Sequence, residues 1–152
     1  MVVTVTHFKF EEDFVASLRC IPMYVRFKLD TVGLKLKLSH WARLGLEDRR
    51  MLADTPCETA EEIDAYRLLL SRLVLERIGE PLSELPASHD PDWEQESTPE
   101  RILARAGEIG VSITQEQWAG LLPLQRFALV KLVRPGHEAR NFEPALQEFG
   151  LL

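Results

Sequence analysis

Cysteine is scarce in this chain. Its 152 residues include two, Cys20 and Cys57, and no CxxC. That excludes a disulfide-stapled scaffold and argues for reduced thiols. A zinc site of ordinary spacing is excluded too, because the four histidines and two cysteines are scattered. Long apolar runs are also missing. Leu68-Leu69-Leu70 is broken by Ser71 and Arg72, far short of the ~20 apolar residues a membrane span needs. MVVTVTHFKF at the start has no basic leader before an apolar stretch, so no signal peptide is expected and a cytoplasmic protein is. Basic excess is absent: the net charge of −6 and pI of about 5.3 argue against a generic nucleic-acid binder. No Gly-rich phosphate loop, GxSxG elbow or HExxH occurs, so no catalytic residue, metal or resident cofactor is assigned.

What is present is an ordinary globular composition, 45% hydrophobic and 28% charged. Its length suits a single domain over 1–152. Charge is uneven. Residues 19–50 hold eight basic groups against three acids, a net of +5, and residues 51–100 hold three against thirteen, a net of −10. The basic segment is either an anion-binding face or one that packs on the acidic segment and is neutralised there.

The pattern is helical nearly throughout. Val2–Phe10 alternates and reads as an extended arm or short strand; Glu11-Glu12-Asp13 then opens a helix ending near Cys20. Pro22 opens a helix with a stripe at Val25, Leu29 and Val32, Arg26 and Lys28 off it, closed by Gly33. Leu34, Leu36 and Leu38 alternate with lysines. Ser39 caps a helix through Trp41 and Leu44, and a short one follows at Glu47–Ala53. Thr59 and Glu62 form a capping box for a helix over Ala60–Ile78, apolar nearly all round and so expected at the centre of the core. Residues 80–97, rich in proline and acid, read as a linker or loop. Helices follow at about 99–107, 115–121, 124–133 and 142–149, with Thr114 and Gln117 as a second capping box and Asn141 as a cap.

A shift of 77 aligns residues 22–52 with 99–129 without a gap. Seven pairs are identical: Pro22/Pro99, Gly33/Gly110, Trp41/Trp118, Ala42/Ala119, Leu44/Leu121, Arg49/Arg126 and Leu52/Leu129. The pattern predicts a mainly α fold, a helical bundle of two pseudo-repeated units. The extended pieces 34–38 and 111–114 are candidates for a short two-stranded pairing. Helix–glycine–helix, twice, has the outline of paired calcium hands, but Lys35 and Lys37 stand where ligands belong, and the bidentate Glu is missing.

Residues 8–38 read FKFEEDFVASLRCIPMYVRFKLDTVGLKLKL, followed by Trp41 and by PCET at Pro56–Thr59. This resembles the bacterial nitrate reductase-associated protein family, small proteins usually encoded beside nitrate reductase and molybdenum-cofactor genes. Leu18-Arg19-Cys20-Ile21-Pro22-Met23, Arg26, Lys28-Leu29-Asp30 and Gly33 carry the match, which covers roughly the first 70 residues. The resemblance implies a role around nitrate assimilation and no established reaction. Two readings follow. In the first, a non-catalytic accessory module docks on nitrate reductase or its molybdenum-cofactor maturation machinery. Arg19, Arg26 and Lys28 then meet an acidic partner or a phosphate-bearing cofactor. Such a module could also be a homodimer. In the second, Cys20 and Cys57 make a small thiol-based redox sensor or enzyme.

Overall fold

The structure, a computed structural model, describes residues 8–11, 18, 20–85, 92–94, 96–134 and 137–152. Eight α-helices and one two-stranded sheet are found among them. They fall in two compact units, Met1–His89 and Asp90–Leu152. No helix among the described residues is long and apolar enough to cross a membrane. The expected arm and first helix lie mostly outside the described residues; Lys9–Glu11 is a single 3-10 turn.

In the first unit, Pro22 precedes α1 (Met23–Val32) and Gly33 ends it at φ 74, the left-handed conformation that glycine adopts without a Cβ clash. Val25, Leu29 and Val32 are buried as their spacing requires, but so is Lys28. Position 28 lies three residues beyond Val25 and four before Val32, so it falls on the stripe and not beside it. Helix α2 (Leu38–Arg43) starts two residues earlier than a Ser39 cap would allow. His40 Nδ1 instead accepts from the Lys37 N–H at 3.2 Å. Helix α3 (Leu46–Asp54) follows. Helix α4 (Ala60–Ile78) begins at the expected capping box: Glu62 N donates to Thr59 Oγ1 at 3.1 Å, and Thr59 N to Glu62 Oε1 at 3.0 Å.

Trp41, Leu52, Tyr66, Leu70 and Val74 fill the core of this unit. Helix α4 is not apolar-covered all round, since Leu68 and Leu75 are 60% and 55% exposed. Among the described residues before α1, Glu11 and Leu18 fasten the chain to this core. Glu11, 2% exposed, accepts from the Met23 N–H at 3.1 Å and from the Phe8 N–H at 3.0 Å, capping the start of α1 from twelve residues upstream. Leu18, at φ 57, presents its carbonyl to the Trp41 indole N–H at 2.8 Å. A leucine in that conformation is strained, and the buried hydrogen bond helps to hold it there.

The sheet has a different partner from the expected one. Strand β1 (Leu34–Lys35) pairs antiparallel with β2 (Ser83–Glu84), Leu34 opposite Glu84 and Lys35 opposite Ser83. Residues 111–114 form no strand. The reason is local. Gly79 turns the chain at the end of α4, and the returning segment is held by Arg67, which donates to the Val32 carbonyl and to Glu84 Oε1 at 2.7 Å. The Leu85 N–H donates to the Gly33 carbonyl at 2.9 Å. The stretch expected as a linker thus begins with a strand.

In the second unit, α5 (Glu100–Glu108), α6 (Gln115–Ala119), α7 (Pro123–Leu132) and α8 (Phe142–Glu148) surround Ile102, Trp118, Phe127, Leu129, Phe142 and Leu146. Gly110 closes α5 at φ 78, and Thr114 with Gln117 caps α6. Asn141 precedes α8 without a side-chain cap bond. Trp93 meets Phe127 edge-on, centroids 6.1 Å apart.

Candidate functional site

The most unusual chemistry in the first unit gathers where α1, α3 and α4 meet. Tyr24 and Lys28 are one turn apart on α1, so they share a face. Helix α3 ends there, and the last carbonyls of a helix lack intrahelical donors. The turn after it carries Cys57, and α4 contributes Tyr66.

Lys28 occupies the centre and is only 2% exposed. Its ammonium donates to the Ala53 carbonyl at 2.7 Å and the Thr55 carbonyl at 2.6 Å. It stands 4.3 Å from the Tyr24 ring centroid and 5.6 Å from that of Tyr66. Three effects offset the cost of burying this charge: two charge-assisted hydrogen bonds, two aromatic faces and the negative end of the α3 dipole. Burial lowers the Lys28 pKa to about 8, with the field of Cys57, Asp54 and Glu58 opposing. Asp54 Oδ1 is itself buried and accepts no hydrogen bond from the described residues. Tyr66 donates its hydroxyl to the Leu52 carbonyl at 2.7 Å, and burial pushes its pKa well up.

Cys57 is 5% exposed and unpaired. Burial pushes its thiol up, against a smaller downward pull from Lys28. A thiol held in the protonated form is a weak nucleophile, because the thiolate is the reacting species. The cluster therefore suits one task well: a fixed cation joining α1 to the end of α3.

The structure brings two sequence-selected residues together here, Lys28 and Cys57. It does not place Lys28 on a surface; the expected partner contact is spent inside the fold. Arg26 is half-buried on α1, Cys20 is a half-buried free thiol, and Arg19 lies outside the described residues. Among the described residues, the exposed cations of the basic segment are Lys35, Lys37, Arg43 and Arg50. Among the described residues no group of three or more His, Cys, Asp or Glu could hold a metal. Sequence reasoning missed Tyr24, Tyr66 and Glu11. The aromatic–lysine spacing at 24 and 28 was a usable signal; nothing local linked Glu11 to a helix that begins twelve residues later.

Comparison with curated proteins and with solved structures returned no match. Comparison with protein families matched the conserved nitrate reductase-associated proteins over residues 7–149, well beyond the stretch that carries the sequence resemblance. The chain belongs to the conserved nitrate reductase-associated protein family.

Proposed function

We propose that this protein is a non-catalytic, cytoplasmic accessory module that docks on nitrate reductase or on its molybdenum-cofactor maturation machinery. The observation that carries the reading is membership of a nitrate reductase-associated family over nearly the whole chain. The site chemistry is consistent with it. The ammonium with the lowered pKa and the buried thiol face inward, where they serve the fold. The exposed cations of the 19–50 segment face outward, where they can meet an acidic surface or a phosphate-bearing cofactor. The contact set is therefore Arg19 and Arg26 with Lys35, Lys37, Arg43 and Arg50, and Lys28 acts as a support.

Residues 22–52 and 99–129 are read as two copies of one supersecondary unit. In support, α1, α2 and α3 begin at 23, 38 and 46, and α5, α6 and α7 at 100, 115 and 123, each 77 residues later. Gly33 and Gly110 share the same left-handed turn.

The test is binding of the purified protein to nitrate reductase and to cofactor-insertion proteins isolated from nitrate-grown source cells. Binding should weaken at least about tenfold in Lys35→Glu plus Lys37→Glu, and steeply with salt. Arg19→Ala plus Arg26→Ala should also weaken it. Absence of binding to every reductase and maturation component would overturn the proposal.

A further inference from the structure

The outward face of α4 carries Asp64, Leu68 and Arg72 at four-residue spacing, an acid, a leucine and a base along one ridge. All three are exposed, as are Ala65, Leu75 and Glu76. Leu68 and Leu75 are two of the most exposed large apolar side chains in the first unit. A helix face meant only for water has no need of leucines two turns apart on its outer side. The order of the charges also matters. Read backwards, acid–leucine–base becomes base–leucine–acid, its own electrostatic complement.

We propose that this face is a homodimer interface, in which α4 packs antiparallel on α4 of a second copy about Leu68. A two-fold interface is self-complementary: residue i meets residue j, and j meets i. Centred on Leu68, antiparallel packing sets Asp64 of each copy opposite Arg72 of the other and Leu68 against Leu68. At 1.5 Å rise per residue, both charges lie about 6 Å along the axis from Leu68, so the two ion pairs bracket it evenly. Ala65 meets Ser71, two small side chains that let the helices approach closely. Parallel packing would set Asp64 against Asp64 and Arg72 against Arg72. The leucines supply affinity through apolar burial. The exposed ion pairs mainly fix direction and register.

The decisive measurement is sedimentation equilibrium of the full chain from about 1 to about 200 µM, a range suited to a modest interface. The mass should climb with concentration from 17.4 kDa towards twice that value. Leu68→Glu should weaken dimerisation by about a hundredfold or more, with an unchanged melting temperature at concentrations where the wild type is monomeric and the position faces solvent. Asp64→Arg alone and Arg72→Asp alone should each weaken it about tenfold, and the double reversal should return it to within about threefold of wild type. A monomer throughout, a dimer indifferent to Leu68→Glu, or charge reversals that fail to compensate would each overturn the proposal. The readout is mass alone, so its outcome is independent of whether a reductase is the docking partner.

Discussion

Arg49 closes back on Trp41, eight residues before it. Its Nε donates to the Trp41 carbonyl at 3.0 Å, and its guanidinium carbon lies 5.9 Å from the indole centroid. One side chain thus gives the Trp41 carbonyl a second donor beside the Leu44 N–H and rests on the ring that anchors the core. The same relationship recurs in the second unit. Arg126 Nε donates to the Trp118 carbonyl at 3.1 Å, with the guanidinium carbon 5.7 Å from that ring. The next carbonyls are also shared in kind: Arg49 reaches Ala42 at 3.0 Å, and Arg126 reaches Ala119 at 2.8 Å.

The two arginines should therefore differ in a predictable way. Arg49 has a third acceptor, the strained Leu18 carbonyl, at 3.2 Å. Arg126→Ala should cost about 1–2 kcal/mol and Arg49→Ala about 2–3 kcal/mol, allowing for partial exposure of both groups. Lysine should rescue neither, since a single ammonium cannot match the planar fork. Urea unfolding followed by tryptophan fluorescence reads both; equal costs would mean that the Leu18 contact contributes nothing.

Glu11 makes a sharper case, because its two acceptor oxygens are used inside the fold. Replacing it with alanine leaves the Met23 and Phe8 N–H groups without their carboxylate and removes a negative charge from the start of α1. The expected loss is about 2 kcal/mol in urea unfolding. Hydrogen exchange should accelerate at the Met23 amide, while the amides in the middle of α4 hardly change. Equal acceleration along α4 would mean that Glu11 supports the whole unit rather than the arm.

These contacts explain what could be read from the chain in advance. Capping boxes, glycines and periodicity act over one or two turns, so α4 from Ala60 to Ile78 was legible to its ends. The tryptophan helices were legible in place but not in extent: α2 begins at Leu38 rather than after Ser39, and α6 ends at Ala119 rather than at 121. The sheet was not, because β1 chooses between possible neighbours by the path of residues 79–85, and that path depends on Arg67. Lys28 was misread for another reason. Charge suggests a surface position, and it takes the carbonyls of Ala53 and Thr55 together with the two tyrosine rings to make burial tolerable. Residue types showed which groups carried chemistry; they did not show which of them faced inward.

Cys57 should be slow to react. Burial both shields the thiol and holds it protonated at neutral pH. Alkylation by iodoacetamide at pH 7.5, followed by mass spectrometry, should proceed at least about tenfold slower at Cys57 in native protein than in urea. Lys28→Met should slow it further, since it removes the cation that favours the thiolate. A faster reaction in that variant would mean that Lys28 shields the thiol rather than activates it.

Lys28 itself should be visible in the pH dependence of stability. In the fold its pKa lies at about 8, against an ordinary value of 10.5. Between those values the unfolded chain binds more protons than the folded one, so this group adds stability as pH rises through that window and has no effect on the slope below it. Cys57 acts the other way. Its raised thiol stays protonated in the fold while the unfolded thiol ionises, so stability falls above the unfolded thiol's pKa. The two contributions overlap and must be separated. In a Cys57→Ala background, unfolding free energy should therefore rise from pH 8 to 10.5 with Lys28 present, relative to the same protein carrying Lys28→Met. The expected gain is on the order of 2 kcal/mol once solvent screening is allowed for. A difference that stays flat would mean that the ammonium keeps its ordinary pKa, and that the two carbonyls and two rings around it fully offset the cost of its burial.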